Sequence, residues 1–297
     1  MSETASNEFS LDQLKPREIA EHPKVKTRFI GTLRSIHSMS EKEAEMTYEK
    51  ESTYFKKAFT TVDRLSTATN ISIYSTFLEI AITGLSIQGG NKSEAYIEVR
   101  GTNIGSKDSP NYVNTASLSV TAYGELNMRI KAGQIIRMNN PIVIYENDYF
   151  QPHTNERGEL TIDYRPSIPR RSNTIIGCYV CIVLPNKDLD FKWLLTDDIQ
   201  RLMKYAGKGD ANKAGALYKS NNSQIDPGFL EAKTIKHAMR SYTKLRVGES
   251  VSFEEEIVIP AEMPTATAGS NDSYAEQEAA PRSDEVIVDI NDEDTPF

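Results

Sequence analysis

The sequence predicts an α+β protein: a small, mainly antiparallel sheet with packed helices, a helical N-terminal region ahead of it and a disordered acidic tail behind it. Three observations predict this. Apolar residues recur at helical spacing from about Pro16 to Asn70. The middle of the chain holds runs with period-2 alternation bounded by turn formers, as where Leu118 and Val120 alternate with Ser117, Ser119 and Thr121. Residues 254–297 carry 13 acids against the single base Arg282, in a composition of Ala, Thr, Glu, Ser and Pro that offers little to bury. The expected divisions are a helical region at 1–70, a core at 71–253 and the tail at 254–297.

Residues 1–15 are polar and are expected to fray. Pro16 suits the first turn of a helix, and residues 18–36 place Ile19, Val25, Phe29, Ile30, Leu33 and Ile36 at helical spacing. Ser40 and Glu43 form a capping-box pattern ahead of a helix at 41–65. That helix carries Met46, Phe55, Phe59 and Val62 among many charges, and reads either as an ordinary outer helix or as a docking and self-association helix. A compact apolar helix follows at 75–85, ended by the glycines of residues 88–91. Strands at 95–99 and 117–122 flank a turn-rich loop, so the two form a long-looped hairpin. Tyr123 and Gly124 punctuate the chain. Leu126 and Ile130, four apart beside Arg129 and Lys131, mark a short amphipathic helix, with Gly133 as its left-handed stop. Ile142, Ile144 and the aromatics up to Phe150 make a strand and its exit. Further strands are expected at 160–164, 175–184 and 191–195. Thr196 or Asp197 caps a helix running to about Tyr205. Residues 206–228 are rich in Gly, Asn and Lys and are expected to be mobile. Residues 229–245 form a late basic helix.

Composition excludes several classes of function. No apolar run approaches the roughly 18 residues of a membrane span. No basic start followed by an apolar stretch opens the chain, so no signal peptide is expected. The spacing of Cys178 and Cys181 invites a zinc or redox reading. The pair lies in an apolar strand that points the two thiols to opposite faces, and no second pair accompanies it. A reducing, cytoplasmic setting fits. The histidines His22, His37, His153 and His237 lack ligand spacing. Asp197 and Asp198 fit a helix N-terminus better than a metal pair. No nucleotide-binding or hydrolase motif is present, so no catalytic residue, metal or cofactor is expected.

The net charge of −8 averages two unlike parts. Outside the tail the chain holds 33 bases and 29 acids, and residues 201–246 hold ten bases against three acids. A basic body with an acidic tail points to a polyanionic partner. Arg100, Arg129, Lys131, Arg137, Arg170, Arg171, Lys233, Lys236 and Arg240 interleave with aromatics such as Tyr123. Lysine and arginine neutralise phosphates, and aromatic faces stack bases with little sequence preference. Lys233, Lys236 and Arg240 fall three and four apart on one helical face, with Leu230, Ile235 and Met239 on the docking side. Tyr123 reads as a stacking residue or a core plug.

The order of motifs resembles the RecT family of phage and prophage single-strand annealing proteins. Gly84-Leu85 resembles the family's Gly-Leu helix end, and Glu94, Ala95 and Tyr96 its strand start. Tyr123-Gly124, Arg129 and Lys131 to Gly133 resemble its central segment; Tyr145, Asp148 and Phe150 resemble the stretch that follows. Lys233-Thr234 resembles the Lys-Thr pair of its late helix. The resemblance covers about residues 70–246. It departs where Gly124 directly follows Tyr123, and where His237 and Ala238 stand in place of two adjacent arginines. It implies a RecT-like (Red-beta-like) core with a basic groove that binds single-stranded DNA and the annealed duplex without ATP. It also implies homo-oligomeric rings or helical filaments, a partner exonuclease and a phage- or prophage-encoded role in recombination inside a bacterial cell.

The terminal residues Asp292, Glu293, Asp294, Pro296 and Phe297 resemble the tip of bacterial single-stranded DNA-binding proteins. A tip of that chemistry docks on host proteins through an apolar pocket with a basic rim. The alternative reading of the whole chain is a passive single-stranded DNA-binding protein on an OB-like barrel.

Overall fold

In the computed structural model, which describes residues 10–245 apart from 91, 108, 157 and 244, order begins earlier than the sequence predicts. Leu11 is buried, and the Asn70 side-chain amide donates to the Leu11 and Leu14 carbonyls at 2.8 Å each. Residues 10–15 are therefore pinned rather than frayed. The single helix expected at 18–36 is a 3-10 turn, Pro16–Glu21, followed by α1, Pro23–His37. Pro23 breaks it, since proline lacks an N–H and biases His22 to extended backbone, observed at φ −61° and ψ 132°.

Helix α2, Glu41–Thr61, opens on the expected capping box: the Glu43 N–H donates to Ser40 Oγ, and Glu43 Oε2 accepts the Ser40 N–H at 2.9 Å. Helix α3, Asn70–Thr83, starts before residue 75 and stops at Gly84, whose φ of +64° is left-handed. A Cβ at Gly84 would lie 2.7 Å from the His37 ring, and His37 Nε2 sits 2.9 Å from the Ala81 carbonyl. Phe29, Tyr48, Phe55 and Phe77 form the centre of this region, with ring centroids 4.6 Å apart for Phe29–Phe77 and 4.8 Å for Phe55–Phe77. These residues put one face of α2 in the core, as an outer helix packed on α1 and α3.

The hairpin β1 (Ala95–Asn103) and β2 (Tyr112–Val120) pairs from Ala95↔Val120 to Asn103↔Tyr112. Its inner face, with Ile97, Val99, Ala116 and Leu118, packs on the same core as α1 to α3. One hydrophobic core thus runs from Leu11 to Leu118, across the division expected at residue 70.

Helix α4, Ala122–Lys131, crosses to the second half of the fold and ends near Gly133 at φ +70°. Gly124 allows the crossing, because a Cβ there would lie 2.1 Å from the Glu94 carbonyl oxygen. The strands β3 (Arg137–Met138) and β4 (Ile142–Tyr145) share one edge of β7 (Ile175–Val183). Strand β8 (Leu189–Leu195) pairs along the other edge of β7, all antiparallel. One face of this sheet buries Cys178, Val180, Ile182 and Leu194 under α5 (Thr196–Ala206) and α6 (Pro227–Met239). The other face carries Tyr179 and Trp193, on which a second hairpin, β5 (Tyr149–Thr154) with β6 (Leu160–Arg165), sets Phe150 and Tyr164. The two cysteines are free and buried, and burial pushes the Cys178 thiol up to about 12.

Residues 206–228 are ordered, contrary to expectation. Two 3-10 turns carry Tyr218 into full burial, its ring 5.0 Å from that of Phe229. A single large anchor outweighs the polar composition around it. Helix α6 stops at Met239 rather than 245. Among the described residues the sheets have two, four and two strands, so the barrel of the alternative reading is not formed. No helix among them is long and apolar enough to cross a membrane.

Candidate nucleic-acid interface

The ten expected contact residues do not converge on one surface. Arg100, on the outer face of β1, is paired with Glu98 at 2.6 Å. Arg129 is 8% exposed; its Nη1 donates to Gln134 Oε1 at 2.7 Å and to the Thr243 carbonyl at 2.9 Å, beside the Tyr242 ring. That guanidinium ties α4 to the chain beyond α6, so a phosphate contact there is corrected to a structural role. Tyr123 packs by one side into the core under α4 and α6, while Lys92 Nζ lies 5.7 Å from its ring; it is a core plug. Arg137 is exposed on β3 and donates to Asn139 Oδ1 at 2.5 Å. Arg170 stacks 3.6 Å above the Tyr145 ring, and Arg171 beside it is exposed.

The α6 triad splits in its surroundings. Lys233 lies 4.8 Å over the Phe229 ring. Lys236 and Arg240 lie near Glu125 on α4; burial raises the carboxyl of Glu125, and Lys236, Arg129 and Arg240 oppose that rise. Thr234, the partner of Lys233 in the sequence motif, is fully buried and donates to the Leu230 carbonyl at 2.8 Å. The terminal docking residues Asp292 to Phe297 and the whole tail lie outside the described residues.

Lys131 leads to a different site. Its Nζ donates to the Gly84 carbonyl at 2.9 Å, at the end of α3. There a cleft of about 560 Å³ opens between the two halves of the fold, lined by Lys50 on α2, Gly84 to Ser86, Gln88 to Gly90, Lys92 to Glu94, and Lys131. Such a volume lies within the roughly 300–1,000 Å³ of ligand sites. Two carboxylates hold its wall. Glu51, 1% exposed, accepts from Ser86 Oγ at 2.7 Å and from the Ile87 N–H at 3.0 Å, and pairs with Lys50 at 3.1 Å. Glu94 accepts from the Ser86 N–H at 2.9 Å and from Asn127 Nδ2 at 2.5 Å. The wall is thereby fixed, and three lysines, Lys50, Lys92 and Lys131, line one space.

Sequence reasoning missed Lys50 and Lys92. Lys92 carried a signal, since it follows the glycines at 89 and 90; Lys50 carried none, being one charge among many on α2. It also missed Trp193, half-buried on β8 beside Phe150, although Leu189, Phe191 and Trp193 alternate with Asp190, Lys192 and Leu194.

A second basic surface lies on α5 and the turns behind it. Arg201, Lys204 and Lys208 are exposed at spacings of three and four, with Tyr205 57% exposed among them and Lys213 nearby in sequence. Arg201 pairs with Asp198 at 2.8 Å. His237 on α6 joins this surface: burial holds its ring below the ordinary histidine value, Asp198 opposes, and Arg240, Arg201 and Lys192 add to the lowering.

No protein-family model matches the chain, and no curated protein does.

Proposed function

We propose that this protein binds single-stranded DNA and promotes annealing of complementary strands without ATP, on a RecT-like core. One observation carries the reading. Residues from three of the motifs behind the family resemblance, Gly84-Leu85 and Glu94 on one loop and Lys131 on α4, line one lysine-bearing cleft. Lys50, Lys92 and Lys131 supply point charges for successive phosphates, and the glycines at 89 and 90 let a backbone approach closely. A strand held by its phosphates keeps its base edges free to pair, so annealing needs positioning and charge neutralisation rather than a bond-making step. Homo-oligomerisation, a partner exonuclease, docking of the Asp292–Phe297 tip on host proteins and a cytoplasmic, phage-derived setting belong to the same reading.

The test is an annealing assay with two complementary oligonucleotides, one quenched on pairing, with no nucleotide present. The expected result is a pairing rate above that of the naked strands, with an optimum in protein-to-DNA ratio. A rate equal to uncatalysed pairing at all ratios refutes the proposal, and tight binding without acceleration leaves a passive binder in its place.

A further inference from the structure

The strongest unabsorbed feature is the basic surface on α5. Among the described residues the side-chain amines of Lys204, Lys208 and Lys213 have no ion-pair or hydrogen-bond partner, and all three are exposed. Three acids lie near these four bases, and Asp197 among them is exposed at the start of α5. Asp198 accepts from the Leu195 N–H at 3.1 Å and pairs with Arg201, and Asp210 accepts the Asn212 N–H at 2.9 Å. The surface thus keeps an excess of one base over its acids, with three unpaired lysine amines and an exposed aromatic, Tyr205, in its midst.

The chain itself supplies a matching polyanion. Residues 254–297 carry 13 acids and one base and include the apolar residues Val286, Ile287, Val288, Ile290 and Phe297. The last described residues lie against α4 and β8, where Arg129 and Gln134 donate to the Thr243 carbonyl and the Tyr242 hydroxyl donates to Asp190, and α6 itself connects that end to α5. Arg240, at the end of α6, and Arg201 on α5 both act on the His237 ring. The eight residues 246–253 reach at most roughly 26–29 Å. A segment tethered that closely meets its site at an effective concentration on the order of millimolar, so even weak ion pairing fills it.

We propose that the α5 surface, Arg201, Lys204, Tyr205, Lys208 and Lys213, is a docking site for the acidic segment 254–297 of the same chain. Carboxylates of the segment meet the free lysines, and an apolar side chain of the segment covers the exposed face of Tyr205. The inference is independent of DNA binding.

The experiment is carbodiimide crosslinking of the full-length chain, which joins a lysine amine to a carboxylate as an amide with loss of water, read by peptide mass spectrometry. A mixture of unlabelled and ¹⁵N-labelled protein separates links within a chain from links between chains. The expected result is links from Lys204, Lys208 and Lys213 to acids in 254–297, within one chain, falling several-fold between 50 and 500 mM salt as screening rises. The K204Q/K208Q/K213Q variant, which changes only exposed side chains, should show an increased radius of gyration in solution scattering at low salt. Links that run to Lys50, Lys92 or Lys131, links only between chains, or a radius unchanged in the variant each overturn the proposal. So does an oligonucleotide that protects these lysines in a protein showing no tail links, since the surface then belongs to nucleic acid.

Discussion

Replacing the three cleft lysines together, as K50Q/K92Q/K131Q, tests whether the cleft holds a phosphate backbone. Glutamine keeps most of each stem and, at 131, a donor for the Gly84 carbonyl. Glu51 keeps its bonds from Ser86 and Ile87, so the wall stays in place. Each phosphate neutralised on a single strand contributes about 0.7 to the slope of log affinity against log salt. Three contacts give a slope change of about 2.1; if Lys50 stays with Glu51 in the complex, two give about 1.4. Between 50 and 200 mM salt, the wild type should therefore lose about 7- to 18-fold more affinity than the variant. The assay is fluorescence anisotropy of a labelled oligothymidine at four salt concentrations, with thermal melting as a control on the fold. An unchanged slope in a variant that melts like the wild type refutes a phosphate role for the cleft.

Two further outcomes follow from the same geometry. Arg129→Ala should destabilise the fold by about 1–3 kcal/mol, because the Thr243 carbonyl and Gln134 lose a charged donor, and should leave the salt slope unchanged; a slope reduced by about 0.7 with full stability would restore Arg129 to the DNA surface. Asp148 accepts from the Ser167 N–H at 2.8 Å, the Tyr145 N–H at 3.0 Å and the Tyr164 hydroxyl at 3.1 Å. Burial pushes its carboxyl up, but these bonds and Arg170 together hold it below the ordinary 3.8. A depressed folded value means that its stabilisation is complete above the ordinary value and is lost as pH falls below it. Asp148→Asn should cost about 1–2 kcal/mol at pH 7, with the gap to wild type closing below about pH 4 in urea titrations. A gap that stays constant down to pH 2 would show that the ionised carboxylate is not the stabilising form.

Much of the fold was legible because its signals are local. The Ser40–Glu43 box, the left-handed Gly133 and the alternation around Leu118 each require only neighbours within a turn or a strand. The misses share a physical cause, which is that one distant contact outweighs local composition. Asn70 pins Leu11 and Leu14 across more than fifty residues, and Tyr218 orders a Gly- and Lys-rich segment by filling a hole beside Phe229. The division expected at residue 70 failed for the same reason. The polarity change there is real, but Ile97 and Ala116 from the following hairpin finish the core that α1 to α3 begin.

The site was less legible, because a charge contributes to recognition only after its partners inside the fold are subtracted. Arg129, read as a surface base from its place on an amphipathic helix, is consumed by Gln134 and Thr243; Arg100 is paired with Glu98, and Arg170 is laid on Tyr145. Lys131 has surroundings its own helix does not contain: Gly84 brings the end of α3 under its amine, and Lys50 and Lys92 line the same cleft from two other elements. Helical spacing preserved little of this. Lys233, Lys236 and Arg240 do lie on one side of α6, yet Lys233 lies over Phe229 while the other two lie near Glu125. Three amines without a partner among the described residues, at 204, 208 and 213, sit on or beside the stretch whose composition looked least structured. That follows from packing: a segment ordered by one buried tyrosine does not depend on pairing its lysines, so their charge stays at the surface.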